Sequence, residues 1–222
     1  MSEQESNIAA SFYHIHNIIT RGLKVSIEAV QDVMQNGYPD EGRRAGLFNY
    51  IRALSSVLNA HHLTEDEVAF PYLRDKLPEV SFEGFTYFHQ VMVGVLNEIN
   101  LAVETCAKSD APVNELKGLQ DQLVHLLDEM WLVHIQYENS DFISKADALV
   151  PVEEQHRLVG QMAEHGMKIA VPHALTLPFM LYNLPPEDRT VFSRDIPVEI
   201  VQDLVPIAWK AQWESMSPYL LA

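Results

Sequence analysis

The chain has 222 residues, enough for one large domain or a medium domain with an appendage. Hydrophobic residues make up 47% and charged residues 21%, which is the profile of a globular protein able to fill a core. A formal net charge of -16 works against nucleic acid and anionic membrane surfaces, and the single cysteine excludes an intramolecular disulfide and thiolate-rich metal or iron–sulfur sites. There is no apolar run long enough to span a bilayer, and the polar start MSEQESN is unlike a signal peptide, so a cytoplasmic protein is expected. Ten histidines against 15 lysines plus arginines are unusual and direct attention to imidazole chemistry.

The first predicted helix runs from about Asn7 to Gln35 and stops at the breaker cluster Asn36-Gly37-Tyr38-Pro39. Its apolar stripe is Phe12, Ile19, Leu23, Ile27 and Val30, with His16 on the same stripe. The second runs from about Gly42 to Lys76, before Pro78. Its stripe of Leu47, Ile51, Leu54 and Leu58 continues into His61, Glu65, Val68 and Tyr72. The third, about Phe82 to Ala107, is the clearest. Phe82, Phe85, His89, Met92, Leu96, Ile99 and Val103 recur at steps of three and four, and Ser109-Asp110-Ala111-Pro112 ends the pattern. The fourth runs from about Val113 to Leu149, with Leu116, Leu123, Leu127, Met130, His134 and Glu138 on one face.

Four amphipathic helices with short connections predict an all-α, antiparallel up-down-up-down four-helix bundle over residues 1–150. Prolines 172, 178, 185, 186, 197, 206 and 218 cut residues 151–222 into short pieces, yet Leu175, Phe179, Met180, Trp209, Trp213 and Tyr219 make that stretch too apolar for a disordered tail. It is expected to form a Pro-interrupted helical cap packed on the bundle. Its other readings are a lid or tunnel wall over the site, and a dimer interface if Trp209, Trp213 and Tyr219 are exposed. The oligomeric state is open between monomer and homodimer.

A helical residue and its fourth neighbour project to the same side. His61 with Glu65 and His134 with Glu138 are therefore two His-x-x-x-Glu clamps on apolar stripes, where an ionised glutamate is costly without a compensating cation. His16 and His89 occupy the stripes of the other two helices. The depths agree as well. His16 and His89 lie near the starts of their helices, His16 at ~14 Å for a 1.5 Å rise, while Glu65 and Glu138 lie near the ends of theirs, Glu65 at ~17 Å. In an up-down bundle those ends meet at one level. Four imidazoles and two carboxylates on a bundle axis suit two iron ions bridged by the glutamates, with manganese the second choice, and ligation without sulfur disfavours a closed structural zinc site.

The stretch about residues 8–148 resembles the hemerythrin-like HHE cation-binding proteins. The resemblance rests on His16, the run His61-His62-Leu63-Thr64-Glu65-Asp66-Glu67-Val68-Ala69-Phe70-Pro71, the lone His89, and His134-Ile135-Gln136-Tyr137-Glu138-Asn139. It implies a non-haem diiron centre, bridged by Glu65 and Glu138, that binds or reacts with oxygen. Two departures stand out. Oxygen carriers of this kind have a second histidine four positions from the first on the third helix, where this chain has Phe85 and Val93 around His89. They also use an aspartate five positions after the fourth-helix histidine, where this chain has Glu138 at four. One iron then lacks an imidazole and carries water, hydroxide or another ligand. That exchangeable place favours redox or peroxide chemistry over reversible carriage.

The remaining candidates have bland readings. His62 lies about 100° round the helix from His61 and reads first as a surface or helix–helix residue, second as the missing ligand. His14 is expected to be partly exposed and His125 to be on the surface. Tyr137 reads as a core tyrosine before a metal neighbour or ligand. Asp66 and Glu67 are solvated or orient ligand imidazoles, Cys106 is a small buried side chain, and a second metal site at His156, His165 and His173 is a minor possibility. The functional expectation is a diiron protein that binds or reacts with dioxygen or peroxide. The alternatives are a diiron oxidase or oxygenase with a small organic substrate between bundle and cap, and an iron- or oxygen-sensing interaction module.

Overall fold

A computed structural model describes residues 7–108 and 113–221, and of residues 113, 114 and 195 the backbone alone. The expected stop at Ser109–Pro112 lies outside the described residues. The described residues are helical throughout, with turns between and no strand. None of the helices is long and apolar enough to cross a membrane.

Helix α1 (Ile8–Asn36) begins where Asn7 Oδ1 accepts from the backbone N–H of Ala10 at 2.7 Å, and it ends at Gly37, whose φ of 76° is open to glycine. Helix α2 begins at Glu41–Thr64, capped by Asp40 Oδ1 accepting from Arg43 N–H, and continues through a π-helical turn, Glu65–Ala69, into Phe70–Leu73. Pro71 offers no N–H to the carbonyl four residues back. The π turn absorbs this defect, with the Phe70 N–H donating five residues back to Glu65. The extra residue rotates the last turns of the helix. The sequence stripe places Val68 and Tyr72 inside, whereas Ala69, Phe70 and Leu73 are buried and Val68 and Tyr72 only half-buried.

Helix α3 (Phe82–Lys108) buries all seven residues of its predicted seam. Helix α4 spans residues 113–149 as Val113–Val124, a π-helical stretch His125–Trp131, Leu132–Glu138, a second π turn Asn139–Ile143, and Ser144–Leu149. Helix α1 packs on α2 and α4, and α3 packs on the same two.

Two apolar clusters fill the space among these four helices. One takes Ile8 and Phe12 of α1, Ala69, Phe70 and Leu73 of α2, Phe82 and Phe85 of α3, and Phe142 and Ile143 of α4. The other takes α1 from Ile18 onward, α2 up to Leu58, α3 from Met92 onward and α4 up to Trp131. On every helix the break between the clusters falls on the same residues: His16, His61 to Glu65, His89, and His134 to Glu138.

Beyond Pro151 come α5 (Val152–Ile169), α6 (His173–Tyr182), α7 (Pro186–Phe192), a 3-10 turn (Ser193–Asp195), a π-helical segment (Ile200–Ala208), a short helix (Lys210–Trp213) and a 3-10 helix (Glu214–Tyr219). They pack chiefly on α2 and α1. Gln155 ties α5 inward: its Oε1 accepts from Ile8 N–H and its Nε2 donates to the Asp147 and Val150 carbonyls. Asn183 Oδ1 accepts from Tyr50 Oη at 2.7 Å and from Arg21, and Arg21 also donates to the Tyr219 carbonyl. Trp213 is buried and its indole N–H donates to the Val205 carbonyl, while Trp209 and Tyr219 are half-buried.

Gly46 marks the closest approach of this segment to α2. A methyl group at Gly46 would overlap the carbonyl oxygen of Ser215, which is backbone and cannot rotate away. Gly46→Ala is expected to cost about 2–3 kcal/mol in chemical denaturation, the upper range for overpacking, even though alanine is the better helix former. An unchanged or raised stability would show that residues 214–219 are not held against α2.

Candidate metal centre

The six predicted residues meet in the polar layer between the two apolar clusters. His16 Nε2 lies 3.2 Å from Glu138 Oε2, and His61 Nε2 lies 3.6 Å from Glu65 Oε2. His134 Nε2 is 3.0 Å from Glu138 Oε1, and His89 Nε2 is 3.4 Å from Glu65 Oε2 and 3.9 Å from Glu138 Oε1. The Nε2 atoms of His89 and His134 are themselves 3.1 Å apart. At metal–ligand bonds of about 2.1 Å, neighbouring donors on one ion sit about 3 Å from each other, the spacing found here.

These atoms form two groups of four, each within 4.8 Å: His16, His61, Glu65 and Glu138, and Glu65, His89, His134 and Glu138. Both glutamates belong to both groups, as two shared carboxylates between two ions would. Both are 0% exposed, and neither carboxylate makes a hydrogen bond to satisfy its oxygens; His16 Nε2 and His61 Nε2 are likewise buried without one. Buried charge of this kind is expensive unless a cation neutralises it, so the donor set fits a metal site.

The electrostatics of the metal-free cluster follow from burial and crowding. Burial, then the neighbouring Glu138 charge, pushes Glu65 well above the ordinary carboxylate range. Burial acts the same way on Glu138, but the charge of His134 and the close approach of the His134, His16 and His89 imidazoles outweigh it and hold Glu138 low. The pair thus keeps a proton on Glu65. Burial drives His61 and His62 well below the usual imidazole value and keeps them neutral, the form that ligates. For His89, burial is opposed and overcome by its contacts with Asp66 and Glu138, which raise its pKa.

Asp66 supports the cluster from outside. Its Oδ1 lies 3.1 Å from His89 Nδ1 and accepts from Thr86 Oγ1 at 2.6 Å. A carboxylate this close to Nδ1 favours the proton there and leaves the Nε2 lone pair to the glutamates. Glu67 is exposed and bonds instead to His165. Asp66→Ala should weaken metal binding about 10–100-fold in competition with a chromophoric chelator, the usual loss when an outer carboxylate is removed. Unaltered affinity would reduce Asp66 to a solvated residue.

His62 lies deeper than the α2 stripe predicts. It is 1% exposed, stacks on His89 with ring centroids 4.1 Å apart and planes 9° apart, and forms a third group of close donors with His89 and His134. Neither of its ring nitrogens has a hydrogen-bond partner. Tyr137, by contrast, is 59% exposed, which removes it both from the core and from the centre. His14 is buried, not partly exposed, while His125 is exposed and Cys106 buried, as expected. Among the described residues, His156, His165 and His173 do not appear in any close group of potential metal donors.

The chain matches the family model described as the hemerythrin HHE cation binding domain, over residues 7–146. It belongs to the hemerythrin HHE family. Comparison with curated proteins gave no match, and comparison with solved structures gave none. The hemerythrin match covers all six residues of the cluster and ends before α5, so α5 to residue 221 lies outside what the family describes. As a hemerythrin HHE protein the chain is a cation binder, and its buried His and Glu groups fit that role.

Proposed function

We propose that this chain holds two carboxylate-bridged, non-haem iron ions and uses them to bind or react with dioxygen or peroxide. In this reading His16 and His61 serve one ion, His89 and His134 the other, and Glu65 and Glu138 both. Helices α1 to α4 are read as an up-down-up-down bundle (residues 1–150), supported by the way α1 and α3 enter the two apolar clusters in one order and α2 and α4 in the reverse. Residues 151–222 are read as a cap on its α1–α2 flank. The observation that carries the proposal is the sharing of two fully buried glutamates by two histidine pairs.

Bound iron would supply the electrons and the exchangeable coordination positions. The residues of the chain do the rest. The apolar clusters above and below the layer exclude water, Asp66 orients His89, and Glu65 holds a proton at its carboxylate when the cluster is empty. Metal analysis tests the assignment: two irons per chain are expected, with a Mössbauer spectrum of a coupled diferric pair. One metal per chain, or zinc alone at full occupancy, would overturn it. Anaerobically reduced protein mixed with dioxygen or hydrogen peroxide should consume oxidant in proportion to its iron, and inertness toward both would remove the oxidant half of the proposal.

The raised Glu65 pKa has a measurable sign. A carboxyl group that gains affinity for its proton on folding lowers stability as pH climbs above its ordinary 4.5, because the unfolded chain ionises first. A metal ion reverses this by binding the ionised form. Metal uptake at a pH below the raised Glu65 value should therefore release a proton, and affinity should rise with pH through that value. Titration of metal into weakly buffered protein with a pH dye measures the release; none would show that Glu65 is already ionised.

A second reading, oxidation of a small organic substrate, is favoured by one feature: an apolar cavity reaches His61 from the α5 side.

A further inference from the structure

The cavity lies between α1 and α2 on one side and α5, α6 and α7 on the other, and its volume is about 150 Å³. Its walls are mainly apolar, with Met162, Met167, Met180 and Phe192 prominent. In a chain of net charge -16, none of the described residues lining it is Asp, Glu, Lys or Arg. Methionines are flexible and polarisable and suit a pocket that adjusts to an apolar guest. An apolar cavity of this size takes a molecule about as large as benzene. An ionic guest would lose its hydration with no opposite charge to meet, so the guest is neutral.

Thr64 supplies the polar feature that gives the cavity a chemical preference. It lines the cavity beside Gly166, its Oγ1 lies 3.2 Å from His165 Nδ1, and His165 Nε2 lies 2.8 Å from Glu67 Oε2. The Glu67 carboxylate can only accept, so the Nε2 facing it carries a proton, and the tautomer with that single proton presents Nδ1 to Thr64 as an acceptor. His165 Nδ1 then accepts from the Thr64 hydroxyl. The remaining capacity of Thr64 Oγ1 is as an acceptor, polarised through the imidazole to an exposed carboxylate.

We propose that this cavity binds a small neutral organic molecule of about benzene size that carries one hydroxyl or N–H group, its apolar body among the methionines and its donor on Thr64 Oγ1. His61 separates this guest from the other proposed ligands, since it lines the cavity and also faces Glu65 at 3.6 Å. Binding itself does not rest on the diiron reading; any influence of the guest on the metals does.

Phenol, toluene, benzoate and benzylamine serve as probes, titrated calorimetrically into the full chain with its metal content measured in the same sample. Phenol should bind one per chain, toluene about tenfold more weakly for want of the donor, and the two charged probes not at all. Thr64→Val keeps the shape and removes the acceptor, so it should bring phenol down to the level of toluene. Ala163→Phe fills the cavity and should abolish both. Should that variant lose its helical spectrum, Thr64→Val decides alone. The proposal fails if neither phenol nor toluene binds, if benzoate binds as well as phenol, or if Thr64→Val leaves the preference for phenol intact. A sample that lacks iron yet binds phenol as described would overturn the diiron reading and support this one; a diiron sample that binds no probe would do the reverse.

Discussion

Glu138→Ala is expected to bring the metal content of the purified chain from the proposed two ions to nearly none. Glu138 is within 3.2 Å of His16 Nε2 and 3.0 Å of His134 Nε2, and it belongs to both four-donor groups, so in the proposed two-ion centre its loss would take a ligand from each ion and leave Glu65 as the single bridge. The stability that metal confers is then lost as well. A ligand present at 100 to 1,000 times its Kd stabilises a fold by about 2.7–4.1 kcal/mol, and the variant should unfold earlier by an amount of that order when both proteins are compared in metal. In chelator the gap should shrink, since Glu138 in the empty cluster is itself a buried carboxylate whose oxygens lack hydrogen bonds. Glu65→Ala should behave alike, and the double variant should be little worse than either single one, because residues that act as one unit are not additive. Retention of two tightly bound metals by both single variants would falsify the ligand set.

The helices differ in how much of their role the sequence discloses. Helix α3 touches neighbours on one side, and its apolar residues recur so regularly that all seven seam positions, His89 included, are buried. Helix α2 is another case. It packs on α1, on α3 and on three pieces of the C-terminal segment, and it buries Phe48, Tyr50, Ala53, Val57 and Ala60 as well as the stripe of Leu47, Ile51, Leu54 and Leu58. A helix that is apolar nearly all round has no single seam to read, and a residue 100° from the stripe is as much inside as one on it. That is why the stripe alone puts His62 outside. The signal is present in the small and apolar residues on the second face, but it becomes readable only once the C-terminal segment is known to cover that face.

The π turns conceal a second layer of information. Counting in steps of three and four carries the pattern correctly to Glu65 and to Glu138, because each clamp ends where a π turn begins. Beyond Glu65 the extra residue moves the buried positions on α2 from Val68 and Tyr72 to Ala69 and Leu73, while on α4 the buried Phe142 still lies four residues after Glu138. Pro71 gives a local reason for the first turn; we have no comparable sequence feature for the second. The clamps themselves are legible since an i, i+4 pair is set by the helix alone. The outer contact from Asp66 to His89 crosses between helices and is fixed by packing, which a single helical wheel does not contain.

His62→Leu decides whether His62 is a fifth imidazole, in which case stability should move in opposite directions with and without metal. In the metal-free chain His62 is a neutral imidazole, 1% exposed, with two ring nitrogens that have no hydrogen-bond partner. Leucine has similar bulk and no polar atoms to satisfy, so the metal-free variant should be more stable by about 1–3 kcal/mol, offset in part by the lost stack on His89. If His62 is the fifth imidazole, completing the group formed by His89 and His134, the metal-loaded variant should show the reverse: affinity for one of the two ions reduced about 100-fold, the other unaffected because His16, His61 and the glutamates are intact. Thermal unfolding in chelator and in excess metal, with stoichiometry measured at each, reads both signs. A variant stabilised equally in both conditions and still holding two ions would make His62 a packing residue. One iron would then keep the open position that the sequence implies by offering Phe85 and Val93 in place of a second α3 histidine. A sign reversal would instead make α2 the source of three ligands, with the imidazole that the third helix lacks supplied by the residue beside His61.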